Sequence, residues 1–108
     1  MRKRLLLLAL VSLLVTGAIL AAQALAATKK VTVGDNFFSK TSLTVHKGTK
    51  VTWRWSGTHN THNVTSKGHF HSRTQSSGSF SKTFKTKGTF TVICTVHPTQ
   101  MRMKVVVK

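Results

Sequence analysis

Gly34, Gly48, Gly57, Gly68, Gly78 and Gly88 cut the chain after Ala27 into short segments of threonine, valine, serine and lysine. Turn residues returning at roughly 8–12-residue intervals describe many short strands joined by turns. Lys50-Val51-Thr52-Trp53-Arg54-Trp55 shows the alternation most cleanly: Val51, Trp53 and Trp55 share one face, Lys50, Thr52 and Arg54 the other. Strands are predicted in the same way at Lys30–Val33, Ser42–Val45, Ser79–Lys85, Thr89–Cys94 and Met103–Val107, with a short one at His62-Asn63-Val64 inside a long polar region, residues 56–78. Phe90, Val92 and Cys94 fall on a common face. No stretch after Ala27 carries the 3.6-residue period of a helix. The expected fold is all-β, a two-sheet antiparallel Greek-key sandwich or barrel. Trp53 and Trp55 are read most simply as its core.

The first 26 residues read differently. Met1-Arg2-Lys3-Arg4 is a positive start, an apolar run from Leu5 to Leu20 comes next, and Ala24-Leu25-Ala26 supplies small residues where a signal peptidase cuts. Residues 1–26 are therefore expected to be a signal peptide helix, cleaved after Ala26. The rival reading is an uncleaved membrane anchor, because Leu5 to Ala27 is just long enough to span a bilayer. Either way residues 27–108 are expected to work outside the cytoplasm, in the periplasm, at the cell surface or secreted.

Removing residues 1–26 from 108 leaves 82. A core of that size is marginal, and small domains commonly gain stability from disulfides, a metal or oligomerisation. Cys94 is the only cysteine, so no internal disulfide can form. An unpaired cysteine in an exported chain has to be a reactive thiol, half of an intermolecular bridge or a metal thiolate. The metal reading supplies the missing stabilisation as well, and the chain is expected to be a monomer.

Charge narrows the chemistry further. Seventeen lysines and arginines stand against one acid, Asp35, and the part after residue 26 keeps +13 of the formal +16. Such a field steers anionic partners and is screened by salt. Nucleic acid is the usual partner of this balance, but export argues against it; acidic redox proteins and an anionic cell envelope or membrane surface are compatible. With one carboxylate, hard-cation sites for calcium or magnesium and paired-carboxylate catalysis are excluded. Any metal site must use histidine, sulfur and backbone atoms.

Cys94-Thr95-Val96-His97-Pro98-Thr99-Gln100-Met101 supplies such donors. A strand delivers Cys94 at its end, and a tight loop then presents His97 and Met101. His62, after the tryptophan-bearing strand, would lie at the same end of a Greek-key sandwich. Two imidazoles, one thiolate and a weak thioether form the trigonal His₂Cys set with a long axial sulfur that suits copper. Met103 is the alternative thioether, but its parity with Val105 and Val107 gives it a core role. His69 and His71 share one face of an extended segment and could form a weaker second copper or zinc site, although exposed loop histidines are the simpler reading. His59 competes with His62, and the His-Asn-Val context selects His62.

Over residues 29–108 the chain resembles a cupredoxin, the blue-copper domain of plastocyanin, amicyanin and pseudoazurin type. The resemblance rests on Val33-Gly34-Asp35-Asn36-Phe37-Phe38, Leu43-Thr44-Val45 with Gly48, Val51-Thr52-Trp53, His62-Asn63-Val64, Gly88-Thr89-Phe90 and Cys94-x-x-His97. It implies one type 1 copper, bound by one ring nitrogen each of His62 and His97 and by the Cys94 thiolate, with Met101 as weak fourth ligand. It also implies that Asn63 ties the two ligand loops by hydrogen bonds, and that the exposed edge of His97 passes the electron. Lys40 and Lys87 stand where many relatives have proline. The three residues between His97 and Met101 make a gap intermediate between amicyanin-like and plastocyanin-like loops.

The expected function is a one-electron carrier, with copper binding or delivery without a redox role as the alternative and a basic adhesion domain as a third. An enzyme is the weakest option, because copper nitrite reduction or oxidase chemistry needs further copper centres that 82 residues cannot hold. Metal ligands must be deprotonated, so copper binding and fold stability should weaken together in acid. Melting curves of the apo and copper-loaded domain over that range check this, and identical curves would remove the metal as a stabilising element.

Overall fold

Alternating hydrophobic residues build two facing sheets in the computed structural model, which describes residues 27–108. The signal peptide expected at residues 1–26 and its cleavage after Ala26 lie outside the described residues. Nine strands run in the order β1 Thr28–Gly34, β2 Phe37–Phe38, β3 Ser42–Val45, β4 Thr49–Trp55, β5 Thr65–Ser66, β6 Phe70–His71, β7 Ser79–Phe84, β8 Gly88–Ile93 and β9 Arg102–Val107. One sheet runs β2-β1-β4-β7 and the other β3-β9-β8-β5-β6. Among the described residues there is no helix.

The all-β sandwich matches the expectation, but its sheets are mixed rather than wholly antiparallel. Strand β1 pairs with β4 in parallel, Val31 beside Trp53 and Val33 beside Trp55. Strand β3 pairs with β9 in parallel, Leu43 beside Val105 and Val45 beside Val107. The cause is topological. After β1 and β2 the chain crosses to the other sheet as β3 and returns as β4, and a crossover is what a parallel pair requires. Alternation shows which face is buried but not which neighbour a strand takes or in which direction. The strand expected at His62–Val64 shrinks to a single antiparallel bridge between His62 and Gln75, and pairing resumes at Thr65.

The inward faces are those expected. Val31 and Val33 of β1 and Val51, Trp53 and Trp55 of β4 meet Val92, Cys94, Met103, Val105 and Val107 from the opposite sheet. Trp53 is completely buried, its ring 6.1 Å from Phe70, 6.1 Å from Phe80 and 6.4 Å from Phe84. Its indole N–H donates to the Met103 sulfur at 3.4 Å, so the one polar atom of the ring is paired across the core. Burying a side chain of that size removes on the order of 200 Å² from water, worth about 5 kcal/mol at about 25 cal/mol per Å².

The turn between β1 and β2 is tightly closed. Gly34 pairs with Phe37, leaving Asp35 and Asn36 as a two-residue loop. Asn36 takes φ 68°, a left-handed conformation that asparagine tolerates better than most residues. A Cβ on Gly34 would collide with the Phe37 ring, which lies across the glycine and closes the turn.

Because Trp53 joins the two sheets, Trp53→Ala is expected to cost about 3–5 kcal/mol. Chemical denaturation of the apo domain measures this, and a loss below about 1 kcal/mol would place the core elsewhere.

Candidate metal centre

Two loops at one end of the sandwich bring three of the four expected donors, His62, Cys94 and His97, together. The first leaves β4 and is fixed at His62, whose N–H donates to the Gln75 carbonyl at 2.9 Å and whose carbonyl accepts from Gln75 N–H at 3.0 Å. Two residues on, Val64 N–H donates to Ser72 Oγ at 2.8 Å. The second loop leaves β8 and closes on itself. Cys94 N–H donates to the Met101 carbonyl at 3.1 Å, His97 N–H to the Cys94 carbonyl at 3.2 Å and Met101 N–H to the His97 carbonyl at 2.9 Å. This folding is why Cys94, His97 and Met101 share one end of the domain.

His62, Cys94 and Met101 are fully buried and His97 is partly exposed. Donor atoms of His62, Cys94 and His97 all lie within 4.8 Å of one another, with His62 Nδ1 4.0 Å from Cys94 Sγ. Two donors each about 2.0–2.3 Å from a shared ion stand up to roughly 4.5 Å apart, so the 4.0 Å from His62 Nδ1 to Cys94 Sγ fits a shared transition metal, and the 4.8 Å bound on the other two sides is close to that limit. His97 Nδ1 is buried with no hydrogen-bond partner among the described residues. An unpaired buried nitrogen is costly, and a metal bond would satisfy it. The donor set and its geometry fit a copper ion.

Asn63 joins the loops, as the resemblance implied. Its Oδ1 accepts from Thr95 N–H at 3.0 Å and from Thr65 Oγ at 2.8 Å. Its Nδ2 donates to Thr95 Oγ at 2.7 Å and to Thr74 Oγ at 3.1 Å. Its backbone N–H points at Cys94 Sγ, 3.4 Å away.

Met101 sits in the same loop as Cys94 and His97, whereas the Met103 sulfur receives the Trp53 N–H in the core. His69 and His71 are outside the donor group; the His69 ring lies edge-on against Phe90, centroids 5.0 Å apart. His59 is largely exposed and is held at Asp35, not at Cys94.

Asp35 is the residue that sequence reasoning missed. Its Oδ1 lies 2.9 Å from His62 Nε2, across 27 positions of chain. Hydrogen bonds hold its carboxyl well below the usual carboxylate range, first the one from the His62 ring and then that from His59 N–H; partial burial opposes them, and Asn60 N–H adds to them. The available signal was its status as the sole acid of the chain, placed in a Gly-Asp-Asn turn.

Removing the Asn63 amide leaves Thr95 N–H without its acceptor. Asn63→Ala should therefore cost about 1–3 kcal/mol in the apo domain, read by denaturant unfolding, and broaden the geometry of the bound metal in paramagnetic resonance.

The family model described as copper binding proteins of the plastocyanin/azurin family matches residues 26–108. No curated protein matches the chain. Among solved structures, an oxidized amicyanin mutant is 28% identical with a TM-score of 0.67, covering 74% of this chain and 81% of its own. A reduced amicyanin mutant is 30% identical with a TM-score of 0.64, covering 75% and 82%. A purple cupredoxin from Nitrosopumilus maritimus, 22% identical with a TM-score of 0.67 over 74% and 99%, shares the fold. With donors, fold and family in agreement, this chain belongs to the plastocyanin/azurin family of copper-binding proteins, the cupredoxins, and its cofactor is one type 1 copper ion.

Proposed function

We propose that the chain is an exported one-electron carrier, its copper held by His62 Nδ1, Cys94 Sγ and His97 Nδ1 with the Met101 thioether as weak fourth ligand. The observation that carries this reading is the convergence of donor atoms of His62, Cys94 and His97, beside the buried His97 Nδ1 that has no partner among the described residues. Bound there, copper supplies a one-electron couple between Cu(II) and Cu(I). The protein's part is to hold the donors still. Asn63, Gln75 and the closed Cys94–Met101 loop hold all three through the protein's own hydrogen bonds, so little has to reorganise when the charge on the ion changes. Met101 is preferred over Met103 because it is buried in the ligand loop while the Met103 sulfur is engaged by Trp53.

His97 is the partly exposed member of the set, and Val96 beside it is half exposed. An electron passing along the His97 ring would leave through this rim. The high positive charge would speed encounter with acidic redox partners and fall away with salt, and it also suits residence at an anionic envelope. Export rests on the leader-like residues 1–26. A carrier rather than an enzyme is supported by the sequence, whose one carboxylate provides no pair for acid–base work. The single donor group among the described residues, with His69 packed on Phe90, favours a carrier over a copper-handling protein.

Adding Cu(II) to the apo domain should give an intense thiolate-to-copper absorption in the visible that saturates at one ion and is reversibly bleached by reductant. Cys94→Ser should abolish it, while Met101→Leu should keep the colour and move the reduction potential. Electron-transfer rates to an acidic partner should drop steeply with ionic strength. A colourless complex, or a second ion dependent on His69 and His71, would sink the carrier reading.

A further inference from the structure

The protein's only acidic side chain is bonded to a ligand histidine. Asp35 projects from the closed β1–β2 turn, where Asn36 takes the left-handed conformation and the Phe37 ring covers Gly34. Its Oδ1 meets His62 Nε2 at 2.9 Å and accepts from Asn60 N–H at 3.2 Å. Its Oδ2 accepts from His59 N–H at 2.9 Å, with His59 Nδ1 3.4 Å away. An ionised carboxylate only accepts hydrogen bonds, so the contact with His62 requires the proton on Nε2. In the neutral ring that leaves Nδ1 with a free lone pair, and Nδ1 is the atom that faces Cys94 Sγ.

The charge is also not spent elsewhere. Seventeen lysines and arginines are in the chain, yet the ion-pair partners of Asp35 among the described residues are the rings of His59 and His62 alone. The His62 ring is wholly buried and the Asp35 side chain is 28% exposed, so water only partly screens what passes between them. A carboxylate behind a ligating imidazole fixes the ring, sets its tautomer and raises its basicity. Negative charge placed there also favours the more highly charged ion.

On the reading that His62 is a copper ligand, we infer that Asp35 is a positioning residue of the metal centre. It locks His62 with Nδ1 toward the thiolate and, through the imidazole, stabilises Cu(II) relative to Cu(I). The competing role is a loop cap, in which Asp35 only receives the His59 and Asn60 N–H groups. A cap would affect folding but not the balance between the two copper states.

Three variants separate these roles in the apo and copper-loaded domain. Asp35→Asn removes the charge and keeps an acceptor oxygen, Asp35→Ala removes both, and Asp35→Glu restores the charge. Chelator competition should show Asp35→Ala losing about 10- to 100-fold in Cu(II) affinity, with a smaller loss for Cu(I). Each tenfold excess loss for Cu(II) appears in voltammetry as a rise of about 59 mV in potential. Asp35→Asn should move the same way by less, and Asp35→Glu should return toward wild type. Nitrogen-15 spectra of the apo protein should show His62 as the Nε2–H tautomer, and Asp35→Ala should lose that signal. If Asp35→Ala does not fold, the potential of Asp35→Asn decides. An unchanged potential and affinity ratio in the folded variants, with the Nε2–H signal intact, would overturn the inference and leave only a cap. A wild-type protein that never turns blue with copper would overturn the carrier reading instead, and the apo tautomer would still decide the role of Asp35.

Discussion

The amide of Asn63 joins two loops that otherwise meet nowhere in the local sequence. His62 is its immediate neighbour on one side, and Thr95, its main partner, is the immediate neighbour of Cys94 on the other. Two hydrogen bonds between this side chain and Thr95, with a backbone N–H on the Cys94 sulfur, thus set the spacing between the two loops, while two more to Thr65 and Thr74 hold the amide in place. Buried amides are satisfied or they are costly, so this network has one low-energy arrangement. The metal donors inherit their positions from it.

The strands beneath that clamp are packed into one core. Strand β8 carries Val92 into the core and Cys94 follows, buried, just past its end, while β4 sends Trp53 and Trp55 inward before releasing the loop to His62. Trp53 then couples the sheets through the Met103 sulfur and three phenylalanine rings. A metal centre at the end of the sandwich therefore sits on two strand supports, one per sheet. Carrying an electron with little rearrangement needs such supports.

The scarcity of carboxylates shapes the site as much as the donors do. With Asp35 the single acid, no hard-metal site competes for the ion, and a negative charge is available at one place only. The β1–β2 turn delivers it to the back of His62. The rest of the surface is left strongly basic, which leaves the sandwich without surface ion-pair networks among the described residues.

Much of this was legible in the chain because it is local. Alternation over β4, β8 and β9 marks Val51, Trp53, Trp55, Val92, Met103, Val105 and Val107 as core, since side chains two apart in a strand share a face. Cys94, His97 and Met101 are close in sequence, so any turn after β8 would gather them. His62 was reachable through its His-Asn-Val context and the family resemblance, not through spacing. What needed tertiary structure are the contacts made across long stretches of chain. The parallel pairing of β1 with β4 and β3 with β9, the capture of the Met103 sulfur by Trp53 and the bond from His62 to Asp35 belong to this class. Periodicity records which way a side chain faces; which partner it meets is decided only when the two sheets close on each other.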